Sequence, residues 1–562
     1  MIGPRRPPRL GALVLTSALV LGACGGDSDS GSQGGTDTTT EATQPESVER
    51  LRLAGGDFGY PSPFGYVRGP GWLRAGYTFD TLLWEDSTGE PIPWLASEWE
   101  VSDDAKEWRF TIREGVTFTD GTPLTVDDVV FSFQYIMTGP GSKTQAFAVR
   151  TAGVIEEVVA DGGDAVIRLK QPFAPFVEDI AQSVHIIPKH IWEGVDDPAR
   201  FRDPRALIGS GPYKLESLNE AEGTYLYVAN EDFHLGTPYV KRLELVPAQD
   251  ELQALQRGEL DAAGLSEEGV PEEVLKPFES SDQYGVIKDP GNWNLALHFN
   301  LNKGFPYSEV RFRQAVAYAL DRKDMVDRIL LGRGVPGSPG GLAPEHPMGA
   351  DGLPAYDRDV EEAGQLLDQI GITDSDGDGT RELPGGAPFR QEVQTSNRFS
   401  PKSAELIKEY LREVGIEVEI KSLDRAAADA AAPEGNITMA LVGYGGLMGD
   451  PETLSSRFSS TARGGGFSRA QGYSNPRFDA LAKSQLATLD EAERRAQVVE
   501  MQEILAQDLP VISLYVPDRT MIYRKGGFTN WYFTPGCSPC GATNNKHMLV
   551  TGRKVGYGKE AD

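Results

Sequence analysis

At 562 residues the chain is too long for one hydrophobic core, and two or three domains are expected once an N-terminal leader is set aside. Its 83 acidic against 54 basic residues leave a formal charge of −29, which opposes binding to nucleic acid or anionic lipid and points to neutral or cationic partners. Beyond the leader no apolar run approaches membrane-spanning length and no internal repeat is found, so a multi-span channel, a solenoid and a propeller are not expected.

Arg5, Arg6 and Arg9 precede the apolar run from Leu10 to Leu21, a secretory leader too short to stay in a bilayer. Its end, Leu21-Gly22-Ala23-Cys24, resembles the bacterial lipobox. That resemblance implies removal of residues 1–23 and lipidation of Cys24, with a second acyl chain making the anchorage stable. The run from Gly25 to Ser47 has no aromatic or large aliphatic side chain and cannot bury enough surface to fold. Residues 24–50 are read as a flexible tether, about 25 Å in root-mean-square span for roughly 23 residues of coil.

Strand-like and helix-like segments then alternate, which indicates α/β architecture. Leu51 to Ala54 reads as a short strand followed by the turn-rich Gly55 to Pro61. Trp108 to Arg113 alternates with Trp108, Phe110 and Ile112 on one face, a half-buried strand. Asp120-Gly121 turns the chain, and Thr125 with Asp128 forms a capping box opening a helix that carries Val129, Val130 and Phe133 inward. Two glycine-rich runs fail as phosphate loops: Thr138 to Thr144 has Ser142 where glycine should precede the lysine, and Ile208 to Leu215 continues through Pro212-Tyr213 as a strand. Phe312, Ala315, Val316, Ala319 and Leu320 recur at helical spacing, which leaves Arg311, Arg313 and Arg322 turned to solvent or paired with acids. Glu361 to Gly371 reads as a helix with Ala363, Leu366, Leu367 and Ile370 inward and Gly371 as its C-terminal cap. Asp374 to Gly379 has the acidic spacing of a calcium loop, but Gly385 stands where a bidentate glutamate is needed and Glu382 offers at best one ligand. It reads as a solvated turn, and no metal site is assigned. Cys537 and Cys540, in Cys-Ser-Pro-Cys, read as a short-loop disulfide of an oxidising compartment. A redox motif would instead need a helix start, and zinc would need two further ligands.

Three long blocks, Phe79 to Phe133, Leu295 to Gly340 and Tyr473 to Lys525, together with Ile208-Gly-Ser-Gly-Pro-Tyr-Lys-Leu215, resemble the family 5 extracytoplasmic solute-binding proteins in the family's order. The resemblance covers most of the chain from about residue 51 to 531. It implies an α/β fold of the periplasmic-binding-protein type II kind, with two hinged lobes and three domains. The first domain is discontinuous, from residues 51–78, 206–291 and 521–562; the second is 79–205 and the third 292–520, with the cleft between the first and third. The family captures peptides, nickel chelates, oligosaccharides or opines outside the cytoplasmic membrane and delivers them to an ABC permease. The resemblance therefore implies a monomeric binding protein with no cofactor and no catalysis.

Gly443-Tyr-Gly-Gly-Leu-Met-Gly-Asp-Pro-Glu452 resembles the loop that, in peptide-binding relatives, carries an aromatic residue and then an aspartate for the peptide's free ammonium. Tyr444 matches the aromatic position, but Leu447 stands where the aspartate belongs. A desolvated ammonium with no counter-charge costs several kcal/mol. Asp450, before a proline, matches a structural acid of the family better than it matches the anchor. Gly443, Gly445 and Gly446 keep the loop thin, Asp57 is a candidate counter-charge from the facing lobe, and Phe58, Tyr60 and Tyr444 are candidate stacking faces or core. The expected ligand is a peptide-like solute, with an oligosaccharide, opine or metal chelate as the alternative. Gly-x-Ser-x-Gly, His-Glu-x-x-His and paired cysteine and histidine motifs are missing, so a hydrolase is not expected.

Overall fold

The computed structural model describes residues 47–56, 59–65, 71–143, 153–265, 271–396, 401–423, 427, 431, 435–461, 471–535 and 545–553. Cys24, most of the tether, Asp57, Phe58, Cys537 and Cys540 lie outside the described residues. Strand Leu51–Gly55 runs parallel to Arg242–Pro247, which continues antiparallel through Thr224–Ala229 to Tyr213–Asn219. The period-two pattern explains the pairing, because Leu51, Leu53, Leu243, Leu245, Tyr225 and Tyr227 all reach one core. Arg52 grips Asp261 with two side-chain hydrogen bonds of 3.1 and 2.7 Å. That pair ties the first sheet to a second one, made of Ala262–Leu265, Arg519–Arg524 and Tyr284–Asp289.

The segment between these pieces builds its own antiparallel sheet from Ala96–Val101, Glu107–Ile112, Asp164–Leu169 and Ile155–Asp161. Against it packs helix Val126–Met137, opened as the capping-box pattern requires: the Asp128 carboxylate accepts the Thr125 N–H at 2.9 Å. Val129 and Phe133 are fully buried, while Val130 is half-buried. Phe110 fills the core, and half-buried Trp108 stacks on Phe176 with ring centroids 4.3 Å apart.

The largest sheet has six strands in the order Gly334–Pro336, Val511–Pro517, Trp293–Phe299, Met439–Gly445, Arg390–Ser396 and Glu417–Leu423. It is covered on both faces. Leu295, Leu297 and Leu441 point to helices Val310–Ala319 and Pro401–Glu413, and Ala296 and Tyr444 point to helices Glu452–Phe458, Pro476–Ala487 and Glu491–Asp508. Helix Val360–Gln369 ends as expected, with Gly371 left-handed at φ 79°.

Two arginines depart from the sequence reading. Arg313 and Arg322 are buried rather than solvent-facing, and among the described residues neither forms an ion pair with an acid. Arg313 donates to the carbonyls of Asp508 (2.9 and 2.6 Å), Leu509 (3.1 Å) and Tyr307 (2.7 Å). The first two carbonyls close the C-terminal end of a long helix, where orphan acceptors and the negative end of the helix dipole favour a cation. Arg322 donates to Gly337, Ala355 and Tyr356 in the same manner. A helical-periodicity argument sees an arginine and assigns water; here orphan carbonyls replace the water.

The chain passes twice between the three-stranded and six-stranded sheets, at Asp289 to Trp293 and at Pro517 to Arg519. The passes touch. A Cβ on Gly291 would sit 1.9 Å from the Pro517 carbonyl oxygen. Arg519 pairs with Asp289 through Nε at 3.0 Å and through a second contact from Nη2, and its guanidinium lies 4.6 Å over the Phe533 ring.

Three outcomes follow from this packing. Gly291→Ala is expected to cost about 3 kcal/mol, the upper end for overpacking, because the clash is with backbone; urea unfolding midpoints measure it. Arg313→Met, which strips three buried carbonyls of a charged donor, is expected to cost about 3 kcal/mol on the same assay. His185, His298 and His547 are buried, and burial first of all pulls their imidazole pKa values down to about 3, 3 and 4. A base with a depressed folded-state pKa stabilises the fold above its unfolded value near 6.5 and loses that contribution as pH falls, so going from pH 7 to pH 5 removes about 2 kcal/mol per imidazole. Thermal midpoints should fall across that window, and His547→Phe should flatten the slope.

Candidate functional site: the loop beside the hinge crossing

Residues 443–452 leave the end of strand Met439–Gly445, where Trp293, Asn294 and Leu295 pair with Gly445, Tyr444 and Gly443. The loop therefore starts against one of the two passes between sheets. Gly443 is glycine for a local reason: an added Cβ would lie 1.8 Å from the Trp293 indole, which covers the strand there. Gly446 turns the chain at φ 81°. Asn292, one residue from Gly291, then holds the loop, its side-chain Oδ1 accepting the Met448 N–H at 2.7 Å. Ala343 donates its N–H to the Leu447 carbonyl at 3.0 Å on the other side.

Tyr444 is buried, and burial raises its phenol pKa. The Arg457 guanidinium lies 4.6 Å over its ring, and His298 meets it edge-on at 6.1 Å. Arg457 also donates to the Gly445 carbonyl (3.0 Å) and the Thr453 hydroxyl (3.1 Å), so it braces the loop as well as covering the tyrosine. Leu447 is only 1% exposed and packs among Tyr444, Leu342, Ala343 and Leu454. The one carboxylate of this loop outside its helix, Asp450, receives both Arg494 nitrogens at 2.8 and 2.6 Å and also caps the next helix through the Glu452 N–H. Its charge is spent inside the domain.

The facing elements are acidic. The Glu178 carboxyl is pushed up to about 8, first by desolvation and then by Asp450, Asp179 and Glu85. Nearby, half-buried Glu85 is pushed up to about 8, first by desolvation and then by Asp86. Asp57 and Phe58, from the other candidate segment, lie outside the described residues. Tyr60 is buried in the second core with its hydroxyl on the Asp203 carbonyl (3.1 Å) and Arg202 over its ring (4.9 Å), so it offers no face to a cleft.

The sequence reading missed Arg457, Asn292, Glu85 and Glu178. Asn292 and Trp293 stand just before the second long motif block, a usable signal; Glu178 had none, because its position depends on contacts distant in sequence. In the acidic turn, ligand oxygens of Asp374, Asp376, Asp378 and Glu382 come within 4.8 Å of one another. Asp374 accepts the N–H groups of Gly377 and Gly379 there, and Glu382 accepts Ser375.

Residues 90–466 match the family model of the bacterial extracellular solute-binding proteins, family 5 Middle. Protein XP55 of Streptomyces lividans is 30% identical over 440 residues, 76% of this chain and 77% of that protein. The probable D,D-dipeptide-binding periplasmic protein DdpA of Escherichia coli is 26% identical over 448 residues, covering 77% and 80%. Among solved structures, NikZ of Campylobacter jejuni in complex with Ni(L-His) superposes with a TM-score of 0.75 at 21% identity over 90% of this chain and 100% of that one, which shows the type II binding-protein fold. With two thirds of its length inside the family model, this chain belongs to the bacterial extracellular solute-binding proteins of family 5.

Proposed function

We propose that the protein captures a peptide-like solute outside the cytoplasmic membrane and delivers it, chemically unaltered, to an ABC permease. In this reading Cys24 carries the lipid anchor, the tether lets the body reach the permease, and Cys537 and Cys540 form a disulfide. The three domains divide near residues 79, 206, 292 and 521, and the ligand rests on the backbone of Gly443, Gly445 and Gly446, with buried Tyr444 and Leu447 supporting that loop from beneath, and on Asp57 and Phe58 of the other lobe. The protein acts as a monomer without cofactor.

The observation that carries this reading is the coupling of the loop to the passes between sheets. Met448 hangs on Asn292, and Asn292 adjoins Gly291 at the closest approach of the two strands. A solute resting on the loop bears directly on the hinge, so binding energy that differs between open and closed forms can shift the lobes.

Leu447 favours a second reading on the same scaffold, an oligosaccharide, opine or metal chelate. With Leu447 in an apolar cluster and Asp450 neutralised by Arg494, no carboxylate among the described residues of the loop is free to receive an ammonium. Recognition then rests on shape and on backbone hydrogen bonds.

Calorimetry with trialanine, N-acetyl-trialanine and maltotriose decides between them. For a peptide binder the two peptides should bind within about threefold of each other, about 0.65 kcal/mol. Dependence on the free ammonium would sink the assignment of Leu447, binding of maltotriose alone would establish the second reading, and recovery of cleaved trialanine would replace both with an enzyme.

A further inference from the structure

Helix Pro476–Ala487 of the third-domain segment ends at Thr488, whose φ of −88° and ψ of 118° take the chain out of the helix. The last carbonyls of a helix have no donor of their own. Here Ser484 takes the Thr488 hydroxyl at 3.0 Å, but the Leu486 carbonyl takes a donor from far away in sequence: the Ala174 N–H, at 2.7 Å.

Ala174 belongs to Phe173-Ala174-Pro175-Phe176. Both phenylalanines are buried in the second-domain core, and the proline disfavours helical backbone at Ala174. The loop is thus anchored at both ends while its free amide points outward. Leu486 adds its side chain to the same second-domain core. These contacts join residues 79–205 directly to residues 292–520, bypassing the crossing at Gly291 and Pro517.

We propose that the Phe173–Phe176 loop is a latch that holds the lobes together before solute arrives, by capping helix Pro476–Ala487 with the Ala174 amide and seating Leu486 in the second-domain core. The inference goes beyond the capture reading but takes its two lobes from it. The latch is built to part. Among the described residues its attraction is short-range, one hydrogen bond and one apolar side chain.

Hydrogen exchange on the mature, lipid-free chain, stripped of solute by unfolding and refolding, reads the latch at one amide. Ala174 should exchange slowly in the wild type. Leu486→Asp should speed it at least tenfold while Phe110 and Val166, inside the second-domain sheet, keep their rates, and the radius of gyration should rise. Leu486→Ala is the milder companion, with the amides of residues 478–485 reporting whether the helix persists. Fast exchange of Ala174 in the wild type, or rates within twofold of it in both variants, overturns the latch. Calorimetry with the three probes on the same preparation tests capture separately, so a failed latch and a failed binding protein give different results.

Discussion

Two strands lying so close that only glycine fits between them set the geometry of this molecule. At Gly291 and Pro517 the passes between sheets are in backbone contact, and Arg519 fastens them by pairing with Asp289 beneath the Phe533 ring. In the proposed capture reading, two passes held this closely make the crossing the point about which the lobes rotate. The candidate loop is attached within one residue of that pivot, through Asn292. Position explains what side-chain chemistry alone does not, because a loop without a free charge can still govern a hinge if it is tied to the pivot.

The electrostatics leave the candidate loop neutral. The chain is strongly acidic, yet Asp450 is bound by Arg494 and Leu447 is apolar. Arg457 spends its donors on a backbone carbonyl and a hydroxyl while covering Tyr444. The acids stay on the facing elements, at Glu85 and Glu178. In the proposed reading, such a surface selects its solute by fit and backbone hydrogen bonding rather than by charge.

Stability depends heavily on groups that satisfy helix ends and loop carbonyls from a distance. Arg313 reaches across to Asp508 and Leu509, Arg322 to Gly337 and Tyr356, and Ala174 to Leu486. The C-terminal helix Lys546–Thr551 follows the same logic, inserting into the first-domain core where Tyr213 donates to the Leu549 carbonyl. Buried Lys546 lies 4.1 Å over the Trp84 ring and 5.0 Å over Trp94, and desolvation draws its ammonium down to about 8. The indole faces replace part of its lost hydration.

Local chemistry made much of this legible. The alternation at Trp108 to Ile112, the capping box at Thr125 and Asp128, the apolar stripe from Phe312 to Leu320 and the left-handed Gly371 are short-range patterns, and each stands where period and cap residues place it. Family motifs carried the fold class, and the commitment of Asp450 to structure agreed with its place before a proline. What sequence could not supply was partnership at a distance. Arg313 and Arg322 read as solvent-facing because a pattern of 3.6 residues knows only its own helix, and Tyr60 read as a possible cleft residue because its burial depends on Asp203 and Arg202. The sequence by itself determined the elements, their caps and the absence of an acid at position 447; only the tertiary structure decided which orphan carbonyl meets which donor, because that pairing is a property of folded distance and not of spacing along the chain.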